Sequence, residues 1–367
     1  MPIKTSPIIV NIGPHHPSTH GVFRMRVMFD GENIIDLEPV FGYLHRGTEK
    51  LAEERTYAQI ITLTDRLDYL ASMSNNLAYV VSVEKLLGVK APERAMYIRV
   101  IMAELMRIAS HLIGLGSFLN DLGALATPWM YMFREREKIL DLCEMVCGAR
   151  ITYSYMRVGG VSMDLPPEFM GALRQFCDDF PHRIDEYEKL LRENEILISR
   201  TKGVAVLSAE TAKNNSLSGP VLRASGVNWD LRKSDPYEIY DRLDFEVPVG
   251  QTGDTYDRFL VRLEELRQSL KIINQCIRDM PIGETRLKLP ALIRPPKGDA
   301  YGHVEAPKGE LGFYIVSDGT IAPYRLKIRA PSFINLTALR EMTVGYKLAD
   351  LIVVFGSIDV NMGEVDR

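Results

Sequence analysis

Three of the chain's seven histidines, His15, His16 and His20, fall within residues 13–21, where glycines and prolines exclude regular structure. Histidine is the side chain best matched to proton transfer near neutral pH, and loops carrying ionisable groups are frequent sites. As zinc ligands these three lack a cysteine or carboxylate partner at a finger spacing, and a His-rich turn can also be incidental. A second cluster is GYLHRGTEK at 42–50, followed by DRLDY at 65–69. Tyr69, beside carboxylates and arginine, can donate a proton, although most buried tyrosines only satisfy a hydrogen bond. Glu104, Arg107 and His111 are spaced i, i+3, i+7. That stripe is either functional or an ion-pair network against a neighbouring helix. Cys143 and Cys147, at i and i+4, could share a metal. No second pair completes a four-ligand site, which favours burial. Dinucleotide-binding, phosphate-loop and serine-elbow motifs are absent from any fitting context, so nucleotide binding and serine hydrolysis have no support.

These residues need elements to hold them. Residues 7–12 are rich in strand formers, 22–29 alternate apolar with polar or basic residues, and Asp30-Gly31 signals a turn into a returning strand over 34–40. From 43 to 280 the pattern is helical. The clearest helix runs over 92–118, with Ile98, Ile101, Met102, Leu105, Ile108, Ala109 and Leu112 at 3–4 spacing. Others are expected over 131–155, 167–195 and 254–279, with an irregular Gly/Ser/Asn/Asp-rich excursion at 202–251. After Pro281 comes a proline-bearing linker at 289–296. Strands over 311–317 and 321–329 around Asp318-Gly319, a helix over 333–350 and a short apolar tail complete the chain. The expected organisation is one integrated unit: a β-hairpin region at 1–42, a helical body at 43–280, and a hairpin, helix and buried tail at 281–367.

Composition narrows the function. With 44 Lys+Arg against 48 Asp+Glu, the net charge of −4 argues against nucleic acid as a partner. The 46% hydrophobic and 25% charged content fits a folded globular chain. No run approaches the ~18–20 apolar residues of a bilayer span, and the first residues are not expected to form a secretory signal. Four cysteines in this length suit free thiols in a reducing compartment.

At these same clusters the sequence resembles, nearly end to end, the quinone-site subunit family of the proton-pumping NADH–quinone oxidoreductase, respiratory complex I. The markers are GPHHPSTHG (13–21), GYLHRGTEKLAE (42–53), DRLDY (65–69), FREREKI (133–139) and MRVGGV (156–161). They continue with SGPVLRASGVNWDLRK (218–233), KGELGFYIVSDG (308–319), KIRAPSF (327–333) and GEVDR (363–367). That family shares a fold with the large subunit of nickel–iron hydrogenases. Arg46-Gly47-Thr48-Glu49 is similar to the hydrogenase RGxE, and residues 305–309, EAPKG, to its EAPRG. The hydrogenase RxCGxC is here Arg66-Leu67-Asp68-Tyr69-Leu70-Ala71, and DPCxxC is Asp359-Val360-Asn361-Met362-Gly363-Glu364. All four thiolates are gone, so a nickel–iron centre has no ligands. Two positions depart from the family's usual pattern: His15 stands where many members have Gln, and Val360 where Pro is common.

The resemblance implies an α+β, mainly helical, hydrogenase-large-subunit-like fold without the metal centre. It implies a quinone substrate, no covalently bound cofactor, and NAD binding and iron–sulfur clusters on partner subunits. Tyr69 and His20 are then the residues that hydrogen-bond and protonate the quinone oxygens, and Asp121 pairs with His20. Arg46 lies beside the partner's cluster and tunes it. The implied partners are the iron–sulfur cluster subunit, a membrane subunit at the quinone entrance and other peripheral-arm subunits. The implied place is the cytoplasmic face of the bacterial cell membrane, peripherally attached. A ferredoxin-fed photosynthetic-type complex and a non-catalytic scaffold of the same fold are the alternatives.

Overall fold

The computed structural model describes residues 6–15, 21–123 and 126–367. The chain opens with an antiparallel sheet of β1 (Ile8–Ile12), β2 (Arg24–Asp30) and β3 (Asn33–Val40), in that spatial order. Alternation builds it: Phe23, Met25, Val27 and Phe29 turn inward and are buried, while the residues between them are not. The helical body follows with α1 (Thr48–Glu53), α2 (Tyr57–Thr64), α3 (Ser72–Leu87), α4 (Glu93–Asp121) and α5 (Ala126–Cys147). A two-stranded ribbon comes next, β4 (Met156–Arg157) with β5 (Gly160–Val161). The body closes with α6 (Phe169–Leu191), α7 (Glu195–Thr201), the short helices α8 (Ala209–Asn214), α9 (Gly219–Ala224) and α10 (Leu231–Ser234), and α11 (Thr255–Asp279).

Helix α4 is buried on nearly every face from Ala95 to Leu119, as expected of a helix at the centre of a large core rather than on its surface. It packs against α3, α5 and α11. The side chain of Asp254 caps α11 by accepting the Asp257 N–H at 2.8 Å, which fixes the start of that helix where the sequence predicts it. The expected helix over 131–155 ends earlier, at Cys147. The one over 167–195 is α6, which stops at Leu191, and Asn194 then accepts from the amides of Ile196 and Leu197 and starts α7.

A second antiparallel sheet orders β6 (Gly298–Ala306), β7 (Gly309–Ser317) and β8 (Arg325–Arg329). Its first strand is not among those the sequence predicts, because Gly302 at its centre weakens the strand signal. A Cβ there would sit 2.6 Å from the Cα of Ser82, so the glycine is what lets α3 lie against the sheet.

The expected helix over 333–350 is also corrected. It is α12 (Pro331–Asn335), a 3₁₀ turn, α13 (Leu339–Thr343), a break, and then α14 (Leu348–Ile358). The break exists because residues 344–347 pair with β3: Gly345 N donates to Ile34 O at 2.8 Å and Ile34 N to Tyr346 O at 2.9 Å. Helix α15 (Met362–Asp366) ends the chain. The molecule is α+β and mainly helical, and no described helix is long and apolar enough to cross a membrane.

Candidate functional site

The loop before α1, the turn between α2 and α3, and α15 meet around a pocket of about 430 Å³. Residues 43–46 line one side, Arg66 and Tyr69 another, and Gly363 the floor. The carboxylate of Asp366 shapes the loop, accepting the Gly42 N–H at 2.8 Å and the Leu44 N–H at 2.7 Å. His45 Nδ1 donates to the Asp366 carbonyl at 2.7 Å, and Arg46 N donates to Arg367 O at 3.2 Å. The last residues of the chain therefore set the path of residues 42–46. Gly363 sits so close to the α2–α3 turn that a Cβ would fall 2.5 Å from Leu67 O. Only glycine lets the tail dock there.

Tyr69 is 44% exposed. Its hydroxyl makes no hydrogen bond among the described residues. Partial burial and then the Asp68 carboxylate push its pKa above the ordinary phenol value, against the pull of Lys308. Tyr69 is held by its backbone neighbours. Asp65, buried, accepts Ser154 N at 3.0 Å and Ser154 Oγ at 2.5 Å, Asn75 Nδ2 donates to Asp68 O at 3.1 Å, and Ser72 Oγ to Asp65 O at 2.9 Å. Arg46 reaches the same turn, donating to Arg66 O at 3.3 Å.

Beneath the pocket lies a buried charge cluster that sequence reasoning missed. Lys308 Nζ donates to Asp68 Oδ2 at 2.9 Å and to Ser110 Oγ at 3.0 Å. Asp68 Oδ1 accepts Asn361 Nδ2 at 2.9 Å and the Leu70 N–H at 3.1 Å. Glu364 Oε1 accepts the Ser332 N–H at 3.0 Å. Asp68, Asn361 and Glu364 occupy three of the four positions where the hydrogenase motifs carry cysteine, which is the signal that could have found them. Among the described residues no group of His, Cys, Asp and Glu is arranged to hold a metal ion.

The polar stripe on α4 is an ion-pair network. Arg232 pairs with Glu104 at 3.1 Å and Asp230 at 2.7 Å, and Arg223 with Glu265 at 2.6 Å and Glu305 at 2.7 Å. His111 Nε2 lies 2.7 Å from Glu265 Oε2. Tyr240 and Ser269 each donate to Glu104 at 2.6 Å. Every one of these side chains is buried. Burial opposes the charge on Glu265, yet Arg223 and His111 hold its carboxyl well below the usual range. Burial also lowers the His111 pKa, against the pull of Glu265, which favours the neutral imidazole as the donor to that carboxylate. Arg107 extends the network by donating to the carbonyls of Glu305, at 2.5 Å, and Ala306, at 3.2 Å. It thereby anchors the turn that carries Lys308.

The site residues expected from the sequence are thus placed unevenly. Tyr69 and Arg46 share the pocket. Asp121 is the last residue of α4, half-buried and engaged in the structure. His20 lies outside the described residues, and so does its pairing with Asp121. Cys143 is buried and Cys147 partly so, with the Cys147 thiol donating to the Cys143 carbonyl at 3.1 Å in the manner of a helix side chain rather than a ligand.

The pattern of the family described as "Respiratory-chain NADH dehydrogenase, 49 Kd subunit" matches residues 121–295 and 288–367. The D subunit of the NADH-quinone oxidoreductase of Dehalococcoides mccartyi is 63% identical over the whole of both chains. A D subunit of the NADH-quinone oxidoreductase of Roseiflexus sp. strain RS-1 is 56% identical, again covering both completely. One from Rhizobium etli is 52% identical over all of this chain and 96% of that protein.

Proposed function

This chain belongs to the 49 Kd subunit family of respiratory-chain NADH dehydrogenases, and from that premise we propose that the pocket of residues 43–46, Tyr69 and Gly363 receives the head group of the quinone. The chain is a subunit of an NADH-quinone oxidoreductase with the hydrogenase-large-subunit-like fold. The relatives' shared name favours NADH over ferredoxin as the source of electrons.

The observation that carries the reading is Tyr69: a half-exposed phenol lining a cavity, fixed through its backbone, with its hydroxyl free of any described partner. Two-electron reduction of a quinone builds negative charge on two carbonyl oxygens, and each needs a proton or an aligned donor. Tyr69 supplies one. His20 supplies the other, and the Asp121 carboxylate favours the charged imidazole that can give its proton. Arg46, at the pocket rim, is a permanent but loosely held positive charge toward the iron–sulfur cluster of the adjoining subunit and favours its reduced state. That subunit, a membrane subunit at the quinone entrance and other peripheral-arm subunits complete the assembly, with this chain at the cytoplasmic face of the membrane.

The test is Tyr69→Phe in the assembled complex. Loss of one general acid costs about 10²-fold in quinone turnover, while reduction of an artificial acceptor such as ferricyanide continues at the wild-type rate. Unchanged quinone turnover would leave the pocket a relic in a scaffold.

A further inference from the structure

The cluster under the pocket has unequal charge. Lys308 is one cation; Asp68 and Glu364 are two carboxyl groups, and all three are buried. Lys308 is committed to Asp68 and Ser110, and Asp68 takes two further donors from Asn361 and Leu70. Glu364 receives the Ser332 amide. The groups set against Glu364 come from the α2–α3 turn (Asp68), the β6–β7 turn (Lys308) and α12 (Ser332), and Asp359, at the end of α14, acts on the same Lys308. Burial first, then the Asp68 carboxylate, push Glu364 up to about 7, with Lys308 opposing them. Asp68 and Lys308 are also the two charges that act on Tyr69. The residue next to Glu364 in the chain, Gly363, forms the pocket floor.

Building on the quinone-site reading above, we propose that Glu364 is a proton-loading carboxylate for this pocket, taking up a proton when Tyr69 gives its own to the quinone. The step balances. Two electrons from the NADH-fed chain and two protons, one from Tyr69 and one from the second donor, turn quinone into quinol. A phenolate is left on Tyr69, and the second donor, one proton short, is refilled from solvent. That new negative charge falls on the cluster Lys308 already fails to neutralise, and an ionised Glu364 takes a proton from solvent to become the neutral acid. Reprotonation of Tyr69 from solvent, after the quinol leaves, reverses the bias and Glu364 gives its proton up. An ionised Glu364 draws on Lys308, the cation that favours the Tyr69 phenolate, so turnover in the wild type falls as pH rises through neutrality.

The experiment compares the wild-type complex with Glu364→Gln and Glu364→Asp in quinone turnover against pH and in redox-induced infrared difference spectra. Glu364→Gln fixes the neutral state. It is expected to lose the limb near neutral pH and to exceed the wild type about tenfold at roughly one pH unit above the midpoint. The carboxylic-acid band that appears on quinone reduction in the wild type is expected to vanish. Glu364→Asp keeps both the limb and the band, each displaced. The aspartate variant serves alone if the glutamine variant does not assemble, and an undisplaced band then refutes the proposal. A wild-type pH limb and an intact band in Glu364→Gln overturn it as well. Should Tyr69→Phe still reduce quinone, the pocket reading itself fails; if Tyr69→Phe is inactive and Glu364→Gln keeps the limb, only the proton loading does.

Discussion

Arg46 and Tyr69 line one cavity but are held differently. Tyr69 is set by a turn whose backbone is tied to Ser72, Asn75 and Ser154, so its ring has a fixed origin. Arg46 is exposed, and among the described residues its guanidinium makes one long hydrogen bond, 3.3 Å, to Arg66 O. A phenol in a fixed place suits proton donation at short range, and a loosely held cation at the rim suits an electrostatic effect that tolerates distance. Arg46→Leu is therefore expected to shift the midpoint potential of the adjoining cluster to a more negative value, because a charge favouring the reduced state is gone. A redox titration of that cluster by electron paramagnetic resonance reads the shift, and an unmoved midpoint would detach Arg46 from the cluster. Both residues were legible in the sequence because each lies inside a short contiguous motif. Glu364 and Lys308 were not legible from their chemistry, since Lys308 meets Asp68 across 240 positions of chain. A contact at that separation leaves no local pattern.

Among the elements, α15 has the most influence for its size. Its five residues dock against the α2–α3 turn through Gly363, and Asp366 accepts two amides of the 42–46 loop. Replacing Asp366 by Ala leaves those two N–H groups without their acceptor. Each costs about 1–3 kcal/mol if it stays buried and unpaired, and the loop relaxes instead. The expected outcome is a rise of roughly tenfold in the KM for quinone, about 1.4 kcal/mol of binding, with increased hydrogen exchange confined to peptides covering 41–47. An unchanged KM with the loop still protected would mean that the tail does not shape the pocket. Periodicity predicts a single helix and an apolar tail in this region. Residues 344–347 leave that helix to pair with β3, and helical spacing does not register a backbone pairing with a strand near the other end of the chain. The strand β6 was hidden for a related reason: Gly302 is dictated by the approach of α3 and not by the strand itself.

At the scale of the molecule, α4 and its buried ion pairs form a frame around which the site is assembled. Arg107 reaches from that frame to the β6–β7 turn, the turn presents Lys308 to Asp68, and Asp68 precedes Tyr69. Replacing one partner of such a network strands a buried charge, a loss of about 3–5 kcal/mol, which explains why this frame holds positions and leaves the chemistry to the half-exposed residues at its edge. The order of strands, helical body and strands and the central helix were readable from periodicity, which depends on local sequence, and the fold class came from the resemblance; the joining of the 42–46 loop to the terminal helix depends on the finished packing. That joining makes the pocket, and whether quinone enters it decides the mechanism. Photolabelling of the assembled complex with an azido-quinone, followed by mapping of the labelled peptides, asks that question without an intermediate step. The expected result is label on residues 43–46 or on Tyr69, competed away by unmodified quinone. Label on this chain only at peptides distant from the pocket, or label at the pocket that quinone does not compete, would contradict it.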